Sequence, residues 1–318
     1  MRYRNYKTYP TKSREVLPNL ISESVVDYFI DSNITHPYII NTSLYGKSCN
    51  IYLPTTNLID LKNYLFSKNF DLFNSFSEIN FFQEFSPFYS DVLNYGNYYG
   101  YAIKNEYNNN PIGKEISLKL SEKYSSISQL TYDIDSNNVV DLSLITTDKE
   151  LNKELVLEEI KEMGIDSKFN LIHVPNLKEE FLTNNNTIFN HYELPTTNTK
   201  FIGSDPMSPN RVIPLYLRHM AKNIVNSSLM DECLISVNYS SNSSVPVSFN
   251  INSFGTENYK MKNIYSCVMD VFPLTLKKMK EDINFFTPIY RHSSEVNYFS
   301  DETLPWEDTS KSSELIIF

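Results

Sequence analysis

The strand-like segments of this sequence come in touching pairs, and that limits its fold more than any other feature. Pro37 to Leu44 alternates and is β-branched, a Tyr45-Gly46-Lys47 turn follows, and Ser48 to Leu53 returns. Ser128 to Ile134 and Val139 to Ile145 flank the turn cluster Asp135-Ser136-Asn137-Asn138, and Leu234 to Tyr239 with Val245 to Ile251 form a third hairpin. Strands joined by a short turn pair antiparallel, whereas parallel neighbours need a crossover between them. Helical patterns separate the hairpins. Leu17 to Ile30 has apolar residues at Leu20, Ile21, Val25, Tyr28 and Phe29 and is closed by Asp31-Ser32-Asn33. Pro54-Thr55-Thr56-Asn57 opens a second helix, and Asp148 to Met163, with Gly164 behind it, is the clearest helix in the chain. Arg211 to Val225 is ambiguous because Pro214 interrupts its helical pattern, and Lys260 to Phe286 is expected to be helical in its second half. The order predicts an α+β fold of ββα repeats with antiparallel strands.

Composition removes several function classes. The seven glycines in 318 residues never form GxGxxG or GxxxxGK[ST], so a Rossmann or P-loop nucleotide site is excluded. The net charge of −10 and the lack of any Lys/Arg-dense run argue against nucleic acid as a partner. Cys49, Cys233 and Cys267 are odd in number, far apart and without CxxC, which fits a reducing compartment and no disulfide framework. The five histidines form no HxH or HxxxH pair, so no metal site is expected. No apolar leader and no 18-residue apolar run occurs, so the chain is expected to be cytoplasmic with no membrane partner.

Three stretches resemble the soluble aromatic prenyltransferases. Leu130-Thr131-Tyr132-Asp133, a polar turn, Val140-Asp141-Leu142 and a helix ending Glu162-Met163-Gly164-Ile165 are similar to that family's central unit. Tyr52-Leu53-Pro54-Thr55 and the run from Asn258-Tyr259-Lys260 through Tyr265 to Val271 are the other two. The resemblance implies the ABBA or PT-barrel fold: a single-domain antiparallel barrel of about ten strands with helices outside. That barrel would span residues 1–292, followed by an acidic C-terminal tail over 293–318. It also implies transfer of a dimethylallyl or geranyl group from its diphosphate to a phenol, indole, or Tyr or Trp peptide acceptor in the lumen. The alternative is a barrel that binds a hydrophobic or aromatic small molecule without this turnover.

The same resemblance assigns roles. Arg211, Lys260 and Lys262 would hold the diphosphate, with Tyr192 and Tyr265 in support. Tyr52, Tyr99, Tyr101 and Tyr239 would line the lumen, and Asp133 would be a base for a phenolic acceptor. Such a pocket needs cations for the departing oxyanion and aromatic walls for the allylic cation. Twenty-three tyrosines and 20 phenylalanines supply the walls, though tyrosine is favoured in strands for packing alone. Asp133 and Asp135 are equally turn formers. No tightly bound cofactor is expected, and Mg²⁺ is admitted with the diphosphate.

Overall fold

The computed structural model describes residues 4–8, 16–68, 70–74, 76–83, 96–104, 116, 119–120, 123–124, 127–135, 138–146, 148–174, 183–184, 201–240, 243–296, 298–299 and 301–317. In chain order the elements begin with β1 (Arg4–Thr8), α1 (Leu17–Asp31), β2 (Asn41–Tyr45), β3 (Ser48–Leu53), α2 (Leu58–Lys68), α3 (Phe70–Phe73) and β4 (Glu78–Gln83). Then come β5 (Gly96–Ile103), β6 (Ile127–Asp135), β7 (Asn138–Thr146), α4 (Lys153–Glu162), β8 (Lys168–His173) and β9 (Thr183–Asn184). The rest comprises α5 (Pro209–Asn226), β10 (Glu232–Tyr239), β11 (Ser248–Asn252), α6 (Met261–Val271), α7 (Leu276–Asp282) and α8 (Tyr290–Val296). The chain divides into two compact units. Met1–Ser22, Asn41–Gln83 and Tyr107–Leu194 make the first; Glu23–Ile40, Glu84–Glu106 and Pro195–Phe318 make the second.

The first unit holds two four-stranded sheets, ordered β1-β6-β7-β8 and β4-β3-β2-β9. Both repeat one plan. A hairpin is followed by helix, and the next strand returns parallel to the hairpin's second strand: Cys49 lies opposite Ile79, and Leu144 opposite Leu171. An antiparallel strand then closes the other edge, β9 beside β2 and β1 beside β6. Thr42 and Leu44 of β2 and Cys49, Ile51 and Leu53 of β3 are buried, so alternate residues fix which face turns inward. Helix α4 starts where the Asn152 side chain accepts the Glu154 amide at 2.8 Å, and stops at Gly164, whose φ of 78° suits glycine.

The second unit has a three-stranded antiparallel sheet, β11-β10-β5. The expected single antiparallel barrel of about ten strands is thereby corrected. Among the described residues three separate sheets form, none closed on itself, and two contain a parallel pair. The physical reason lies in the helices after the hairpins. Each acts as a crossover that brings the next strand back to the edge of the same sheet, so the sheet grows open instead of passing its edge to a neighbour.

Helix α5 is the buried spine of the second unit. Pro209 opens it, and it runs straight through Pro214, which gives up one backbone hydrogen bond in an otherwise buried helix. Its residues Arg211, Arg218, His219, Lys222 and Asn223 are buried. Arg218 meets both Glu307 carboxylate oxygens at 2.7 Å and the Tyr101 carbonyl at 2.6 Å. Glu307 sits in the 3-10 turn Pro305–Glu307, so residues expected as a tail contribute Trp306 and Glu307 to the buried interior. Among the described residues no helix is long and apolar enough to cross a membrane.

His219 on α5 is buried against the Phe272 ring, 5.8 Å away between centroids. Burial pushes its pKa down to about 4, against the pull of Asp308. The folded chain therefore keeps His219 neutral while the unfolded chain protonates it, and stability from this site is lost as the pH falls from about 6.5 to 4. Replacing His219→Leu should narrow the gap in acid. The urea midpoints of wild type and variant should converge or cross between pH 7 and pH 4, a change worth about 3 kcal/mol at most.

Candidate functional site

The second unit contains a buried polar centre with a cavity beside it. Helix α1 reaches it with Glu23 and Asp27, one turn apart on one face. The helix ends at Asn33 with φ of 56°, and the Ile34 amide donates back to the Phe29 carbonyl at 2.8 Å, a left-handed cap that turns the chain toward Tyr38. Across from it, Phe201 to Ser208 forms a tight loop into α5. Gly203 has φ of 79°, and its amide donates to Glu23 Oε1 at 3.0 Å. The Asp205 amide donates to the Tyr38 carbonyl at 3.1 Å, and Asp205 Oδ1 accepts the Met207 amide at 3.0 Å.

Arg211 ties these segments together. Its Nη2 donates to both Glu23 oxygens at 3.0 Å, to the Phe201 carbonyl at 3.0 Å and to the Ser204 carbonyl at 2.8 Å; its Nη1 donates to the Tyr298 hydroxyl at 3.2 Å. The guanidinium lies over the Tyr290 ring at 4.1 Å, and Trp306 stacks on Tyr298 at 5.6 Å. Glu23 and Arg211 are fully buried. Burial lifts the Glu23 carboxyl above its usual range even though Arg211 and the Gly203 amide oppose it, and Arg211 stays protonated.

The cavity measures about 380 Å³ and is lined by Asn33, Ile34, Thr35, His36, Asp205, Pro206, Met207 and Phe286. That is the lower end of the size range of small-molecule sites, with apolar walls and one carboxylate residue. Among the described residues no three His, Cys, Asp or Glu side chains gather as a metal site would need.

The residues singled out from sequence are dispersed over several environments. Arg211 is committed to Glu23 and two loop carbonyls, whereas Lys260 precedes α6 and Lys262 lies in its first turn, both exposed. Tyr265 lies on α6, and its hydroxyl accepts the Ile251 amide at 2.7 Å. Tyr101 donates to Glu232 at 2.9 Å, Tyr239 donates to the Leu274 carbonyl at 2.6 Å, and Tyr99 is half-buried on β5. Tyr52 stacks on Phe82 in the first unit, 5.0 Å between centroids. Asp133 lies on β6, its backbone opposite Asp141. Tyr192 falls outside the described residues. Sequence reasoning did not single out Glu23, Gly203, Asp205, Tyr290 or Tyr298. A charged residue between the apolar pairs Leu20-Ile21 and Val25-Val26 of a helical pattern was the available signal for the first of them.

The part of this centre that includes the Phe201–Ser208 loop and Arg211 lies in a stretch with recognisable relatives. Residues 178–308 match the family model of the S-adenosylmethionine synthetase C-terminal domain. An S-adenosylmethionine synthase from Aquifex aeolicus (strain VF5) is 35% identical over 115 residues, which cover 36% of this chain and 31% of that protein. The match therefore spans about a third of that relative's length. These matches overturn the aromatic prenyltransferase resemblance and the prenyl transfer drawn from it. The isoprenoid diphosphate donor, the aromatic acceptor and the alternative of a ligand-binding barrel are set aside with it.

Proposed function

We infer that this chain is a transferase of the S-adenosylmethionine synthetase kind, acting on ATP and methionine. The observation that carries this reading is the match over residues 178–308, the stretch that supplies Asp205, Pro206, Met207 and Phe286 to the cavity and Arg211 to the centre behind it. In such a reaction the methionine sulfur bonds to the adenosyl carbon of ATP, and the triphosphate leaves. The walls formed by Ile34, Pro206, Met207 and Phe286 suit an apolar chain or a flat base, and the Glu23–Arg211 pair keeps the loop that bears them in place.

The test is direct. Incubating the full chain with ATP, Mg²⁺ and methionine should give S-adenosylmethionine, detected chromatographically, and omitting either substrate should abolish it. Absence of product together with absence of ATP and methionine binding by calorimetry would defeat the reading.

A further inference from the structure

Asp205 borders the cavity, is 8% exposed, and has its two carboxylate oxygens in different situations. Oδ1 is turned into its own loop, where it accepts the Met207 amide at 3.0 Å. Oδ2 is buried and has no hydrogen-bond partner. The Arg211 guanidinium is bound to Glu23 and to the carbonyls of Phe201 and Ser204, and Lys280 of α7 acts on Asp205 through its field; neither donates to Oδ2. Burial penalises the Asp205 charge, and the Met207 amide, Arg211 and Lys280 offset that penalty only in part. A neutral donor at Oδ2 would satisfy the hydrogen bond and leave the charge uncompensated. A cation there does both.

The rest of the wall limits what can carry that cation. Ile34, Pro206, Met207 and Phe286 are apolar, and Asn33, Thr35 and His36 are the exposed members of the lining. A cavity of about 380 Å³ suits a small ligand. We propose that it binds a primary ammonium carried on a short apolar chain, with Asp205 Oδ2 accepting from the ammonium and Ile34, Met207 and Phe286 covering the chain. Such a group belongs to an amino acid with an apolar side chain or to an aliphatic amine. The first source rests on the transferase reading above, in which methionine is a substrate; the second does not. An apolar chain is chosen over a flat base because ATP brings no cation of its own in neutral solution.

Calorimetric titrations of the full chain with pentylamine, pentanol and methionine, in the absence of ATP and Mg²⁺, test this. The amine and the alcohol share a chain and differ in charge. Wild type should bind pentylamine about tenfold or more tightly than pentanol, the usual worth of a hydrogen bond to a buried charge. Asp205→Asn keeps an oxygen for the Met207 amide and loses the charge, so it should bind the two alike. Methionine binding that weakens in the same variant assigns the ammonium to an amino acid, and binding of pentylamine alone assigns it to an amine. The proposal is overturned by equal binding of pentylamine and pentanol to wild type, by a preference for the amine that survives in Asp205→Asn, or by no binding of pentylamine and methionine alike. Should the variant not fold, NMR of wild type decides: the Met207 and Ile34 amide resonances should move on adding pentylamine, and their staying fixed refutes the site. No turnover is measured, so formation of S-adenosylmethionine can fail while this site stands, and the reverse.

Discussion

Gly100→Ala should unfold the second unit at a markedly lower temperature than wild type. A Cβ built on Gly100 would lie 2.2 Å from the backbone carbon of Leu217, 2.3 Å from its oxygen and 2.6 Å from the Arg218 amide nitrogen. These are backbone atoms of α5, not the far end of a side chain that can swing away. Relief requires β5 and α5 to separate, and that would open the spine of the unit and strain the Arg218–Tyr101 hydrogen bond. Overpacking of this kind costs about 1–3 kcal/mol or more, or roughly 3–10 °C in midpoint for a unit of this size. Gly255→Ala is the matched control. Gly255 has φ of 80° but nothing within 4 Å of its added Cβ, so only backbone strain of about 1 kcal/mol applies. A Gly100→Ala chain that melts at the wild-type temperature would show that the helix and strand are not in this close contact.

That contact also marks where sequence reading stops. The helix expected over Leu17 to Ile30 is present as Leu17–Asp31, and the three hairpins are present, because their information is local. Turn residues, caps and alternation act within a few positions. The barrel failed at the next level. Whether β4 and β8 return to the sheet they left is decided by how α2, α3 and α4 pack, and β1 pairs with β6 across more than a hundred residues. A pattern of ββα repeats is consistent with either outcome. Pro214 is a milder case: propensity speaks against a helix there, yet burial of nearly every residue of α5 overrides it.

The same limit governs the site. A buried arginine in a hydrophobic pattern says that an anion faces it, but not which one. From sequence the partner of Arg211 was expected to be a ligand diphosphate; in the structure the anion bonded to it is Glu23, 188 residues earlier. The Asn33 cap and Asp205 each look like ordinary loop chemistry until the fold brings them around one cavity.

Arg211→Met should destabilise the chain by about 3–5 kcal/mol, the usual cost of breaking a buried ion pair from one side. Methionine fills most of the space over Tyr290 and removes the charge. It leaves Glu23 buried with the Gly203 amide and without its cation, and it removes the arginine's hydrogen bonds to the carbonyls of Phe201 and Ser204. Most of the loss comes from the stranded charge, so the double variant Glu23→Gln with Arg211→Met should recover a large part of it, and denaturant midpoints for the four proteins close the cycle. The recovery is the discriminating result. If Arg211 existed to hold a diffusible anion, its loss would leave the unliganded chain's stability almost unchanged, and Glu23→Gln would restore nothing. A recovery in the double variant without ligand would mean that the guanidinium is satisfied from within, and that it serves the neighbouring cavity by holding the Phe201–Ser208 loop in shape.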